Sequence, residues 1–112
     1  MIYNKGTLNI DGFNVNYLTK KFNTPIYCYS SIKIKENILN FKEKFKKINP
    51  LICFAVKANA NIKILNEIKK FGLGADVVSI GELIKALKAG IHPQKIVFSG
   101  VGKTDNELES AI

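Results

Sequence analysis

The sequence predicts an α/β fold in which parallel strands alternate with helices, and three observations support this. Three short apolar runs are each followed by an amphipathic helical segment. The ends of these runs, at Ala58, Ser79 and Gly100, follow one another at intervals of 21 residues. Strand–helix repeats of this kind form right-handed βα units. The pattern alone leaves open a (β/α)8 barrel or an open doubly wound sheet.

The first 30 residues lack this repeat and predict a hairpin followed by one more strand. Apolar and polar residues alternate on both sides of Asp11-Gly12. An Asp-Gly pair tolerates the positive φ angles of a type I′ turn, so residues 7–16 predict a β-hairpin. The run Ile26–Tyr29, which follows Pro25, predicts a strand. The chain is therefore divided into residues 1–30, a hairpin and strand segment, and residues 31–112, the start of the α/β domain.

Residues 31–47 predict an amphipathic helix. Its apolar residues recur at spacings of four and three and form one stripe: Ile34, Ile38, Phe41, Phe45 and Ile48. Pro50 ends this helix. The next run, residues 51–56, is continuously apolar, which is typical of a strand buried on both faces.

Two further βα units follow, with strands over residues 75–78 and 96–99. The helix between residues 62 and 71 ends at Gly72, and the following helix ends at Gly90. Two helices begin with the pattern of a capping box, Ser79-x-x-Glu82 and Thr104-x-x-Glu107. Three parallel strands leave bare sheet edges, and a full barrel takes about 250 residues. We therefore expect this chain of 112 residues to be the N-terminal part of a longer polypeptide.

Composition indicates a globular protein, with 46% apolar and 23% charged residues. No apolar run reaches the roughly 20 residues that span a bilayer, and the N-terminus lacks the apolar region of a secretory signal, so we expect a cytoplasmic protein. The net charge of +8 raises nucleic-acid binding as an alternative. All 17 basic residues are lysine, however, and arginine provides the bidentate contacts of nucleic-acid recognition, so we expect neither nucleic acid nor membrane as a partner. Cys28 and Cys53 lack the spacing of metal ligands, so we expect no metal site. Each lies in an apolar run, and we expect both to be buried thiols.

The candidate functional residues lie where predicted parallel strands end, because ligand sites form at the carboxyl ends of such strands. Lys57 follows six consecutive apolar residues, and at the rim of a core its ammonium group would be partly desolvated. A lysine there is suited to Schiff-base chemistry with an aldehyde. The alternative is an ordinary lysine that extends from a strand end into solvent.

Asp76 lies inside the second predicted strand, where a buried carboxylate needs a partner. Lys57 or a cationic cofactor would provide one, and hydrogen bonds to local backbone are the alternative. The segment Gly100–Thr104 ends in the letters GKT of a phosphate loop. That motif also requires a glycine five positions before Gly102, and Val97 occupies that position. Backbone N–H groups at this capped helix start remain candidates to line a cofactor pocket. His92 directly precedes Pro93, and we expect it to be a turn residue.

These segments together resemble the fold-type III decarboxylases that depend on pyridoxal 5′-phosphate (PLP), and within them the diaminopimelate decarboxylase family. The resemblance covers nearly the whole chain and is carried by these stretches: Thr24–Ser30, Cys53–Asn59 (CFAVKAN), Gly74–Ser79 (GADVVS), Gly81–Leu83 and Lys95–Thr104 (KIVFSGVGKT).

The resemblance implies a (β/α)8 barrel whose first three βα units lie in this chain, and an N-terminal hairpin that joins a C-terminal β domain. It implies that Lys57 is the catalytic lysine that carries PLP covalently and that Asp76 also contributes to cofactor binding. The implied reaction is the decarboxylation of the amino acid meso-2,6-diaminopimelate to L-lysine and CO2, in lysine biosynthesis, by a homodimer. The family's other cofactor and substrate residues are not found in this chain, which we expect to be inactive alone.

Alternatives remain open at this level. A related PLP decarboxylase of ornithine, arginine or carboxynorspermidine is the first. A D-amino-acid racemase fits the helix from Ser31 and the SGVGKT segment less well. A non-enzymatic PLP-binding protein, built as a single barrel, would lack the Asp11-Gly12 hairpin.

Overall fold

The computed structural model describes residues 1–112, which form six strands and five helices. The strands are β1 (Ile2–Asn4), β2 (Thr7–Ile10), β3 (Phe13–Asn14), β4 (Cys53–Ala55), β5 (Gly74–Val77) and β6 (Ile96–Phe98). The helices are α1 (Val15–Phe22), α2 (Ser31–Phe45), α3 (Ile62–Lys70), α4 (Ile80–Lys88) and α5 (Asp105–Ala111). Short 3₁₀ turns cover Val56–Ala58 and Pro93–Lys95. None of the helices combines the length and apolar character needed to cross a membrane. The chain divides into two compact units, residues 1–40 and residues 41–112.

The first unit contains an antiparallel sheet in the order β1-β2-β3. Ile10 pairs with Phe13 across the Asp11-Gly12 turn. Asp11 and Gly12 have positive φ angles, 49° and 85°. The predicted hairpin is therefore confirmed. Strand β1 was not predicted; it joins β2 through a second turn of positive φ at Lys5-Gly6.

Three predictions in this unit were wrong. The hairpin's second strand stops at Asn14, because the Asn14 side chain accepts a hydrogen bond from the Asn16 N–H at 2.8 Å and starts α1. Val15 thus begins a helix instead of continuing a strand. Residues 26–29 pair with no other strand, and Tyr27 is 90% exposed. Cys28 is exposed as well, contrary to the expectation of a buried thiol.

The second unit contains a parallel sheet in the order β4-β5-β6, as the βα repeat predicted. The central strand β5 is the most buried, whereas β4 and β6 each have one neighbour and are only partly covered. The prediction of a strand over residues 51–56 buried on both faces was therefore wrong in part. The strand is limited to Cys53–Ala55, and Leu51 is 52% exposed.

One face of this sheet packs on helices α3 and α4 and forms the core. Side chains alternate between the faces of a strand, so Ala75 and Val77 point to one face and Asp76 to the other. The core contains these buried side chains: Val56, Leu65, Ala75, Val77, Leu83, Ala86, Ala89 and Ile91. Phe54, Ile96 and Phe98 pack against it from the flanking strands. Asp76 therefore lies on the face opposite the helices.

Both core helices end as the glycines predicted. Gly72 and Gly90 have φ angles of 75° and 77° and follow α3 and α4. The next residues, Leu73 and Ile91, donate N–H hydrogen bonds back to Ile68 and Ala86 and are themselves buried. These contacts are Schellman motifs, which return each chain into the sheet.

Candidate functional site

Three polar side chains stand at the carboxyl ends of the three parallel strands. Lys57 lies in the 3₁₀ turn Val56–Ala58 directly after β4, Asp76 lies in β5, and Ser99 follows β6. The parallel register brings Ala55 and Val97 beside Asp76 on either side. Ser99 comes two residues after Val97 and therefore shares its face of the sheet.

Lys57 is exposed, whereas Val56 just before it is fully buried. The turn is closed by the Asn59 N–H, which donates to the Val56 carbonyl at 3.0 Å. The Asn61 side chain then caps α3 by accepting from the Lys63 N–H at 2.9 Å. The expected partial desolvation of the Lys57 ammonium group is not seen, because β4 has a neighbouring strand on one side only. Lys57 makes no ion pair or side-chain hydrogen bond.

Asp76 is half-buried, and its hydrogen-bond partner is Ser99. The Ser99 hydroxyl donates a hydrogen bond to Oδ1 of Asp76. Ser99 is also fixed by its backbone, because its N–H donates to the Val77 carbonyl at 2.9 Å. The sequence predicted Lys57, a cofactor or local backbone as the partner of Asp76; within the chain the partner is Ser99, and neither Lys57 nor local backbone hydrogen-bonds to this carboxylate.

The charge of Asp76 also affects the thiol of Cys53 on the neighbouring strand. Burial raises the pKa of Cys53 above its ordinary value, and the nearby Asp76 carboxylate raises it further. Cys53 is partly buried, and its Sγ lies 3.8 Å from the Lys95 carbonyl oxygen. A thiol kept in its protonated form is a small apolar group and a poor nucleophile. Cys53 is therefore better described as a small apolar side chain of the sheet than as a reactive thiol.

The loops after β5 and β6 are held by helix caps. Ser79 caps α4 by accepting from the Glu82 N–H at 3.3 Å, while the Glu82 carboxylate accepts from the Val78 N–H at 2.9 Å. The serine half of the first capping box is thus confirmed. The Glu82 carboxylate binds the N–H of Val78, one residue before the Ser79 N–H that a capping box would use. Thr104 and Glu107 form the complete box at the start of α5. Hydrogen bonds from the Thr104 N–H and hydroxyl hold the pKa of Glu107 below its ordinary value.

The segment after Ser99 turns back on itself. Gly100 and Gly102 have positive φ angles of 92° and 73°. The Lys103 Nζ donates to the Gly100 carbonyl at 2.7 Å and lies 5.2 Å from the centre of the Phe98 ring. The Lys103 amine is therefore bound to the backbone of its own loop. At the opposite end of β6, His92 accepts from the Gln94 N–H at 3.3 Å, as expected of a turn residue.

Ser99 is the residue whose role sequence reasoning missed. The sequence predicted it at the end of the strand over residues 96–99 and indicated no role for its side chain. The signal that identifies it is the register of Asp76 with Val97, which places Ser99 diagonally across from the carboxylate. A register between strands is a tertiary property, and the spacing of residues along one chain does not specify it.

Comparison with known proteins identifies the family of this chain. Residues 31–112 match the model of the family described as "Pyridoxal-dependent decarboxylase, pyridoxal binding domain". The chain is 54% identical over 100 residues to a diaminopimelate decarboxylase of Helicobacter pylori, which covers 89% of this chain and 25% of that protein.

Solved structures give the same result. The crystal structure of diaminopimelate decarboxylase from M. jannaschii has a TM-score of 0.93 and 39% identity, over 97% of this chain and 26% of that one. The H. pylori enzyme complexed with L-lysine has a TM-score of 0.83 and 52% identity, over 88% of this chain and 25% of that one. This chain spans about a quarter of the length of these relatives. Since the family match covers most of its residues, the chain belongs to the pyridoxal-dependent decarboxylases, in the pyridoxal binding domain.

Proposed function

We propose that this chain provides the cofactor lysine, Lys57, of a PLP-dependent decarboxylase that converts meso-2,6-diaminopimelate to L-lysine and CO2. One observation carries the proposal: the Lys57 amine lies at the carboxyl end of β4, beside the strand that holds the Asp76 carboxylate, in a pyridoxal-binding domain. The relatives named diaminopimelate decarboxylase, one of them complexed with L-lysine, support this choice of substrate and product.

The residues present fit the cofactor. PLP presents an aldehyde, which a primary amine attacks, and Lys57 is exposed with no hydrogen bond or ion pair to occupy its amine. Asp76 offers a carboxylate that Ser99 binds through one oxygen, so its second oxygen is available to a cationic group. We propose that Lys57 and Asp76 hold the cofactor between them.

When bound, PLP provides the electron sink for the electron pair left as CO2 departs. The contribution of this chain is to place an amine and a carboxylate at the same edge of a rigid sheet. Lys57 would hold the cofactor through its aldehyde carbon, with loss of water, and its amine, when free, would be able to carry a proton on Nζ. The turn that holds Lys57 begins at the fully buried Val56. The backbone of Lys57 is therefore fixed to the core by the residue just before it.

We propose that β4, β5 and β6 are the first three strands of a (β/α)8 barrel within a domain that begins at residue 31, and that residues 1–30 contribute to a separate β domain. The sequential order β4-β5-β6, with a helix after each strand, supports a barrel, because barrel strands follow one another around the sheet.

The resemblance to the decarboxylases also leads us to propose a homodimer that works in the cytoplasm. Sedimentation of the purified full-length protein would measure the oligomeric state, and cell fractionation would measure the location. A monomer at working concentrations, or a protein recovered with membranes, would contradict this part of the proposal.

The central test uses the full-length protein that contains this chain, mixed with PLP and reduced with borohydride. Reduction makes the bond between PLP and an amine permanent, so peptide mass spectrometry then locates the modified lysine. We expect the label on Lys57 in the wild type and its loss in Lys57→Arg. The matched control is Lys88→Arg, which replaces an exposed lysine at the end of α4. In this variant PLP should label Lys57 as it does in the wild type.

Substrate identity is tested in the same preparations by release of CO2 from meso-2,6-diaminopimelate, ornithine and arginine. We expect CO2 and L-lysine from meso-2,6-diaminopimelate alone, and none from Lys57→Arg. Labelling of Lys57 with CO2 released only from ornithine or arginine would overturn the substrate while keeping the cofactor site. Absence of any label on Lys57 in the folded wild type would overturn the proposed function.

A further inference from the structure

We propose that Ser99 is a positioning residue for Asp76, whose carboxylate it fixes at the carboxyl end of the parallel sheet so that one oxygen stays turned toward the cofactor. This inference rests on the proposed function of the same site. Ser99 is not proposed to touch PLP or substrate. Its effect passes through Asp76.

The backbone places Ser99 rigidly against the strand that carries Asp76. Val97 pairs with Asp76 in the parallel register, and Phe98 pairs with Val77. The Ser99 N–H then continues this ladder beyond the end of β6 by donating to the Val77 carbonyl at 2.9 Å. Because Ser99 lies two residues after Val97, its side chain emerges on the same face as Asp76. The hydroxyl is therefore placed by main-chain hydrogen bonds before it meets the carboxylate.

Ser99 is the one residue whose side chain restrains Asp76. Its hydroxyl donates to Oδ1, and no other side chain or backbone N–H in the chain hydrogen-bonds to either carboxylate oxygen. The side chains next to Asp76 in the register, Ala55 and Val97, have no polar atoms. Without the hydroxyl, the carboxylate would be free to change its χ1 rotamer and to turn about χ2, which has only broad minima in aspartate.

A fixed carboxylate binds a cation more strongly than a rotating one. A site that must immobilise a side chain when its ligand arrives loses part of the binding free energy to that ordering. Ser99 orders Asp76 in advance, and by occupying Oδ1 it leaves Oδ2 as the free acceptor. A carboxylate only accepts hydrogen bonds, so the serine hydroxyl is the donor in this bond.

The test compares PLP affinity in full-length Ser99→Ala, Ser99→Thr, Asp76→Asn and the double variant Ser99→Ala/Asp76→Asn. PLP affinity is measured by titration of the cofactor absorbance, separately from decarboxylation. We expect roughly two- to tenfold weaker binding in Ser99→Ala, the cost of ordering one free side chain when the ligand binds. Ser99→Thr keeps the hydroxyl and should restore affinity. The matched control is Ser110→Ala, which removes an exposed hydroxyl bonded to the Asn106 carbonyl in α5.

The double variant separates positioning from general damage to the fold. If Ser99 acts through Asp76, then Ser99→Ala should weaken PLP binding no further once Asp76 is asparagine. Equal additional loss in both backgrounds, or failure of Ser99→Thr to restore affinity, would overturn the inference. So would a Ser99→Ala variant that binds PLP as tightly as Ser110→Ala. A wild type that takes up no PLP at Lys57 would overturn the proposed function itself, and this inference with it.

Discussion

Gly74, the first residue of β5, is in closer contact with its neighbours than a residue with a side chain would permit. A Cβ added there would overlap the Lys95 carbonyl oxygen and lie 2.9 Å from Sγ of Cys53. The Lys95 oxygen belongs to backbone just before β6, so it cannot swing away as a flexible side chain would. The glycine therefore sets how closely β4 and β6 can approach β5, two residues before Asp76.

We predict that Gly74→Ala destabilises the protein by about 1–3 kcal/mol, the range for overpacking in a well-packed interior. The matched control is Gly81→Ala in α4, where the nearest atom to an added Cβ is Oγ of Ser79, at 3.9 Å. Alanine favours a helix over glycine by up to about 1 kcal/mol, so the control should be neutral or stabilising. Urea unfolding of both variants measures the difference. A neutral Gly74→Ala would contradict the packing described here.

Single residues differ in how far the sequence could predict them. Lys57 was identified because six apolar residues precede it, which marks the end of a buried strand. Asp76 was identified as a charge within a strand. The partner of Asp76 was not identified, since Ser99 lies 23 residues away and meets it only through the strand register. The exposure of Lys57 agrees with the alternative that the sequence left open, a lysine that extends from a strand end into solvent.

At the scale of elements, the Asp11 turn links the N-terminal hairpin to helix α2. Oδ1 of Asp11 accepts from the hydroxyl of the buried Ser30, and Oδ2 accepts from the Ile32 N–H at 3.2 Å. Ser30 in turn accepts from the Lys33 N–H at 2.9 Å. Asp11 therefore does two things: it tolerates the positive φ of the turn, and it satisfies donors at the start of α2.

This link predicts a pH dependence. The Ser30 hydroxyl, followed by the N–H groups of Ile32 and Ser31, holds the pKa of Asp11 below its ordinary value of 3.8. A carboxyl whose pKa is lower in the folded state stabilises that state above its ordinary pKa, and the contribution is lost as the pH falls through the folded value. We predict that Asp11→Asn, which tolerates the same turn, has a free energy of unfolding that falls less steeply with acid below about pH 4.

Denaturant unfolding at a series of pH values measures this effect. Glu109→Gln is the matched control, because Glu109 is an exposed carboxylate without a hydrogen bond in the structure and its loss should leave the acid profile unchanged. Glu107 contributes an acid-sensitive cap of its own to all three proteins, so it cancels in the comparison. An Asp11→Asn profile that runs parallel to the wild type at every pH would contradict the role given to Asp11.

Elements with strong local signals were predicted well, and those set by tertiary pairing were not. The three βα units and the glycine ends of α3 and α4 follow from periodicity and capping chemistry. The strand at residues 26–29 was wrong because a run of β-formers becomes a strand only where a partner lies alongside. Helix α1 was missed because the alternation around Phe13 and Val15 suits a strand, while the cap from Asn14 decides for a helix.

For the whole molecule, the three strands of the parallel sheet each bring one polar residue to the same end. That convergence results from the parallel topology, because the carboxyl ends of successive strands meet at one edge. The sequence could predict it in outline from the regular 21-residue spacing. Ligand binding at such an edge should stabilise the sheet as a unit, since a ligand that binds only the folded state adds its binding free energy to folding.

We therefore predict that PLP raises the melting temperature of the full-length protein, by an amount that depends on the Lys57 amine. At a hundredfold excess over the dissociation constant, the linkage amounts to about 2.7 kcal/mol. Pyridoxamine 5′-phosphate is the matched ligand, because it keeps the ring and phosphate but carries an amine in place of the aldehyde. Scanning calorimetry should show a larger shift with PLP than with the amine analogue in the wild type and in Lys88→Arg. In Lys57→Arg the two ligands should give equal, small shifts. Equal shifts in the wild type would mean that the bond to Lys57 contributes nothing to stability and that the sheet edge binds only the phosphate and ring.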